Sequence, residues 1–174
     1  MTRLQKIIGF VLKRKDLLEK DAVVTVYSKE YGKILLMVKG VRKITSKRAA
    51  HIQTGNLIKA ELRLSNNILY LQSSELISGF LSLRTDQAIN HIYLFLFIID
   101  GLMPEGQKDI DVFYRIQHFF IQLSKQTDQT DVFKNHLQKL LEVLGYIDSI
   151  LPLSELVQIA ENHIEKRLPR HVII

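Results

Sequence analysis

The chain has 174 residues, 24 of them Lys or Arg, 18 Asp or Glu and none Cys. Its 47% hydrophobic content supports a packed core in one large or two small domains. The lack of cysteine excludes a disulfide scaffold, thiolate zinc sites, iron–sulfur clusters and a cysteine nucleophile. The formal charge of +6 is uneven: residues 1–80 hold 15 Lys+Arg and 6 Asp+Glu, net +9, whereas residues 81–174 hold 9 and 12, net −3. A basic protein favours polyanions, nucleic acid or an acidic membrane surface, and the asymmetry suggests two parts with different partners.

The first strand is expected over 7–12, apolar on both faces as in a barrel. A β-branched and aromatic stretch, 22–27, follows, then a polar turn at 28–33 in which Gly32 is free to take positive φ. Strands are read at 34–38 and 57–64; the latter alternates Ile58, Ala60, Leu62 and Leu64 against Lys59, Glu61 and Arg63. Ser65-Asn66-Asn67 is a hairpin signal before a strand at 68–72. Five short strands in about 70 residues suggest a small closed barrel such as an OB-fold.

The period then changes to three and four, predicting helices near 74–83, 86–102, 110–125, 131–145 and 154–168. Asp86 and Asp131 are read as N-caps, Gly145 as a C′ residue, and Ser154 as the opening of the last helix after Pro152. The run 92–99 is apolar all round and predicts the central helix of a bundle. The fold class is therefore α+β, all-β then all-α: a five-stranded OB-fold barrel, basic and nucleic-acid-binding, over 1–76, and a mildly acidic, partner-binding helical bundle over 77–174.

Nothing resembles an export signal: the apolar stretch at 7–12 contains Gly9, runs into Lys13-Arg14-Lys15, and has no small-residue cleavage site after it. The longest apolar run, 92–99, falls well short of the roughly 18 residues that span a bilayer. A cytoplasmic protein with no membrane partner is the expectation.

Catalytic signatures are missing. Gly32-Lys33 fails as a P-loop, with Tyr27 where the earlier Gly belongs and Ile34 where Ser or Thr belongs. No GxSxG, HExxH or GxGxxG occurs. The six His, at 51, 91, 118, 136, 163 and 171, include no i, i+4 pair, and surface or helix-packing roles suit them. Asp109 and Asp111 sit where a helix begins, so capping explains them better than acid–base chemistry. Asp16, Glu19 and Asp21, beside Lys15 and Lys20, read as a solvated charged loop. The expectation is a protein that is not an enzyme, with no cofactor, no metal and no small-molecule substrate.

Two basic clusters stand out: Lys13-Arg14-Lys15 at a strand end, and the stretch 39–48, which holds Lys39, Arg42, Lys43, Lys47 and Arg48 and no acid. Gly40 lets backbone approach a ligand closely, and Thr45 and Ser46 can hydrogen-bond phosphate oxygens. Tyr27, Tyr31 and Tyr70 are candidate stacking platforms, because an OB barrel binds single strands by pairing a cationic groove with aromatic faces. A charge run is more often a solvated loop, but a run without acid in a +9 barrel favours nucleic acid. The DNA-contact set read here is Lys13, Arg14, Lys39, Gly40, Arg42, Lys43, Ser46, Lys47 and Arg48.

The ordered set Val11-Leu12, Glu19-Lys20-Asp21, Val24-Thr25-Val26-Tyr27-Ser28, Gly32-Lys33, Val38-Lys39-Gly40-Val41-Arg42-Lys43 and Ser46-Lys47-Arg48 resembles the N-terminal domain of the bacterial recombination mediator family RecO. Leu69-Tyr70-Leu71-Gln72-Ser73-Ser74-Glu75-Leu76 resembles the family's last barrel strand and its exit into the first helix. Leu140-Leu141-Glu142-Val143-Leu144-Gly145-Tyr146 resembles a segment of its helical domain.

The resemblance implies an N-terminal OB-fold and a helical domain that bind single- and double-stranded DNA, anneal complementary strands, and work with RecR and single-strand-binding protein to load a recombinase. It implies DNA contact by Lys39, Arg42, Lys43, Lys47 and Arg48, then by Lys13 and Arg14. The chain is shorter than typical members, and it lacks the four cysteines of the family's zinc module. Thr54 and Gly55 stand where the family has a proline and an aromatic. About five phosphate-neutralising cations predict a log–log salt slope of roughly −3.5 to −4.5. The competing expectations are an OB module for RNA and an adaptor for an acidic protein.

Overall fold

The computed structural model describes residues 4–41, 48–79 and 85–168. Strands β1 (Leu4–Asp16), β2 (Ala22–Ser28), β3 (Gly32–Val38), β4 (Asn56–Ser65) and β5 (Ile68–Gly79) close into a barrel in the order β1-β2-β3-β5-β4. Every pairing is antiparallel except that of β3 with β5. This is the OB-fold arrangement read from the strand pattern. A short helix, α1 (Arg48–His51), separates β3 from β4. Asn66 and Asn67 both take positive φ, +50° and +59°, as a two-residue hairpin of matching twist requires.

Alternation explains why β1 is apolar on both faces. Ile7 and Val11 point inward and pack with Val24, Val26, Leu36, Ile58, Leu62 and Leu71 in the barrel core. Phe10 and Leu12 point outward into a second core shared with the helices. The Phe10 ring lies 5.3 Å from Phe113 and 5.5 Å from Phe120. One strand thus serves two cores.

The helices are α2 (Asp86–Leu102), α3 (Ile110–Lys125), α4 (Gln129–Val143) and α5 (Leu153–Ile164). α2 is central, with Ile92, Leu94, Phe95, Leu96, Ile98 and Ile99 all buried. Asp109 caps α3, accepting from the backbone N–H groups of Asp111 and Val112. At the end of α4, Gly145 N–H donates to the Glu142 carbonyl and Tyr146 N–H to the Leu141 carbonyl, a Schellman closure.

Four expectations need correction. The helix read at 74–83 is replaced through Gly79 by β5, because β4 carries backbone partners out to Asn56↔Gly79 and the ladder outweighs local periodicity. Thr85, not Asp86, caps α2, its hydroxyl accepting from Ala88 N–H at 3.1 Å; Asp86 occupies the first turn, where the helix dipole favours a carboxylate. Asp128, not Asp131, caps α4. α5 has Pro152 at its N-cap position with no side-chain cap, and Ser154 lies inside its first turn.

The barrel docks on the helices partly through the β2–β3 turn. Gly32 has φ +68°, and a Cβ there would fall 1.9 Å from the Gln107 carbonyl oxygen, so only glycine fits. Lys33 donates to the Asp100 carbonyl and pairs with its carboxylate at 3.6 Å. The failed P-loop dipeptide is thus a latch between barrel and helices.

Candidate nucleic-acid interface

Register across the barrel places Lys15, Val23, Met37, Tyr70 and Arg63 in one row, from β1 through β2, β3 and β5 to β4. Their neighbours Val24, Leu36, Leu62 and Leu71 fill the barrel core, so the row faces outward. Two cations converge on the half-buried Tyr70: Lys39 Nζ stands 5.2 Å and Arg63 Cζ 5.8 Å from the ring centroid. An aromatic face with flanking cations is the unit from which single-strand sites are built, the ring for a base and the charges for adjacent phosphates.

The foot of the basic loop lies beside this row. Gly40 has φ +64°, and its N–H donates to Asp21 Oδ1 at 2.7 Å. Asp21, read from sequence as part of a solvated loop, therefore sets the path of the backbone after β3. Arg48 donates from Nη2 to the Lys39 carbonyl at 3.0 Å and from Nη1 to the Leu71 carbonyl at 3.1 Å. It ties α1 to the end of β3 and to β5, next to Lys39. Arg42, Lys43, Ser46 and Lys47 lie outside the described residues. On either side of them, Val41 is 0% exposed in the barrel core and Arg48 opens α1.

The other expected residues divide. Lys13 is exposed, at the lip of a cleft that Leu12 and Thr54 form with Tyr93 and Phe97 of α2. Arg14 is turned inward: its side chain is 16% exposed, pairs with Asp16 at 2.8 Å and donates to the Ala49 carbonyl. Its guanidinium is thus held by the β1 strand end and the α1 backbone, beside an Asp16 carboxylate that is 46% exposed. Tyr31 is exposed but lies at the opposite end of β3 from Met37, away from Tyr70.

Tyr27 is the clear correction. It is fully buried between barrel and helices, and its hydroxyl donates to the Asp109 carbonyl at 3.2 Å. Burial, then the nearby Asp109 carboxylate, push its pKa up to about 12. No ring face is left for a base. Its outward position on β2 matches that of Phe10 on β1, its register partner, and both meet the helices.

Sequence reasoning missed Arg63 and left Lys15 out of the contact set. Alternation marked Arg63 as outward, but only the Arg63↔Tyr70 pairing puts it against the ring. Among the described residues no group of three or more His, Asp or Glu side chains is arranged to hold a metal ion. No described helix is long and apolar enough to cross a membrane.

Residues 1–80 match the family model described as "Recombination protein O N terminal". Over these residues the chain is similar to the N-terminal domain of the RecO family. It is 25% identical over 143 residues to a protein of Syntrophobacter fumaroxidans named DNA repair protein RecO, covering 82% of this chain and 57% of the relative. A protein of the same name from Bacillus mycoides is 26% identical over 145 residues, covering 81% and 57%. One from Mycoplasma mycoides is 37% identical over 98 residues, covering 55% and 38%. Against the first two of these RecO proteins the matched stretch spans little more than half of the relative's length, while reaching well into the helices here.

Proposed function

We propose that this protein is a non-catalytic, DNA-binding recombination mediator. It binds single- and double-stranded DNA, promotes annealing of complementary strands and assists recombinase loading in DNA repair. The observation that carries the reading is Tyr70 with Lys39 and Arg63 over its ring, in a row with Lys15, at the foot of the loop whose sequence holds Arg42, Lys43 and Lys47. The relatives' name, DNA repair protein RecO, supports the repair setting.

The chemistry follows from the groups present. Lysine and arginine contacts to phosphates release counterions and carry no base information, so binding is nearly indifferent to sequence. A cationic surface that neutralises two strands at once lowers their mutual repulsion, and annealing follows. The helical half, with its net charge of −3 over residues 81–174, adds little to the non-specific attraction for DNA and is the natural place for protein contacts. RecR and single-strand-binding protein are the partners the family resemblance offers.

The test is an anisotropy titration of labelled oligo(dT) at several salt concentrations, comparing the wild type with Lys39→Ala/Arg63→Ala. Losing two phosphate contacts makes the log–log salt slope shallower by roughly 1.4 on a single strand. Unchanged affinity and slope in a variant with unchanged melting temperature would remove this face from the reading. A matched RNA titration of equal affinity would favour the RNA module instead.

A further inference from the structure

A second polar constellation lies on the helices, in a cleft of about 230 Å³ between α3 and α4. Arg115, His118 and Gln122 recur at three and four along α3, and Asn135, His136 and Lys139 face them from α4. Three of these six side chains are basic or imidazole groups on α3 and α4 that carry or can take positive charge beside His136. The one acid in the lining, Asp111, sits in the first turn of α3, and Tyr114 completes the wall.

Two buried polar atoms in this lining have no hydrogen-bond partner among the described residues: Arg115 Nε and His136 Nδ1. His136 is only 6% exposed, and its Nε2 is engaged with Gln122 Oε1 at 2.9 Å. Burial, then the charges of Arg115, Lys139 and His118, hold the His136 imidazole down to about 4. Converging cations on a partly desolvated wall repel each other, and unmet buried donors and acceptors are costly. A doubly charged oxyanion with several strong acceptor oxygens relieves the repulsion and can accept from the Arg115 guanidinium; His136 Nδ1, an acceptor while Nε2 donates to Gln122, becomes a donor to it only when the imidazole protonates. The cleft has room for such a group with water around it, since one water takes about 30 Å³ of liquid volume.

We propose that this cleft binds a phosphate group, either free phosphate or the terminal phosphate of a nucleic-acid strand. Arg115 and Lys139 supply the charge, Asn135 and Gln122 supply amide hydrogen bonds, and the two imidazoles line the wall behind them. The site stands on its own observations and does not depend on the barrel surface.

The test follows the ring nitrogens of His118 and His136 by NMR in the full chain, titrated with sodium phosphate against sodium chloride of equal ionic strength. Phosphate is expected to shift both rings saturably and to raise the pH at which His136 protonates. Asp111, Tyr114, Arg115, His118 and Lys139 are the titratable or charged groups facing it. Arg115→Gln/Lys139→Gln is expected to bind roughly tenfold more weakly or not at all. Lys139→Gln alone, at an exposed position, gives the same direction should the double variant not fold.

Shifts no larger than those in chloride, or shifts that persist in the variants, would overturn the site. A second arm compares oligonucleotides bearing a 5′-phosphate or a 5′-hydroxyl. A preference for the phosphorylated end that is lost in the variants assigns the site to strand ends, and equal affinity assigns it to free phosphate. Lys39→Ala/Arg63→Ala leaves the imidazole shifts in place, so the barrel reading and this one fail separately.

Discussion

The barrel presents two outer surfaces built on different strands. On one, outward Phe10, Leu12 and Tyr27 from β1 and β2 meet the helices and join a single buried cluster with Phe95, Phe113 and Phe120. On the other, outward Met37 and Tyr70 from β3 and β5 stay partly open, with Lys39 and Arg63 over the tyrosine ring. Tyr27 and Tyr70 are alike in sequence terms, each an aromatic in a β-branched or aliphatic strand. One is sealed under α3 and the other is framed by cations. An aromatic on an OB strand is thus accessible to a ligand only where the helices have not covered it.

Truncating the covered surface should cost most. Phe10→Ala is expected to destabilise the fold by about 3–5 kcal/mol, read from the shift of a urea melt at constant slope. A loss below about 1 kcal/mol would mean that the two regions do not share a core.

High pH provides a gentler probe of the same surface. The folded-state pKa of Tyr27, about 12, lies above the ordinary value of 10.0, so the folded protein holds this proton more tightly. The associated stability is complete below pH 10 and is lost as pH rises towards 12, by up to about 2–3 kcal/mol. Comparing melts of the wild type and Tyr27→Phe over that window isolates this group. Parallel pH profiles would show that the hydroxyl is not buried in solution.

On the open surface the effect moves from stability to binding. Tyr70→Ala should weaken oligo(dT) binding by about 1–3 kcal/mol if a base stacks on the ring, with little change in melting temperature. A binding loss accompanied by an equal loss of stability would make Tyr70 another packing residue and erase the contrast with Tyr27.

Much of this architecture is legible in residue order. The strand pattern, the turn chemistry at Asn66-Asn67, the extents of α2 and α3, and the capping role of Asp109 follow from local periodicity and propensity. The cap misreadings are local shifts of one to three residues, whereas the others come from partners that the fold supplies. At residues 74–79 the helical period is real, but β4 offers an unpaired ladder edge, and satisfying its backbone groups outweighs it. Arg14 looks identical to its lysine neighbours until the fold brings the Ala49 carbonyl to a guanidinium that already pairs with Asp16 on the same strand face. Arg63 looks like any outward strand residue until hairpin register sets it against Tyr70.

By itself the sequence determined the strand-then-helix order and the concentration of positive charge in residues 1–80, because these depend on composition and periodicity. Only the tertiary structure decided which cations remain free, which tyrosine is open, and which polar side chains of α3 and α4 converge on one cleft. Those outcomes depend on closing the barrel and docking it against the helices, which joins residues far apart in the chain and sets which face of each strand meets water.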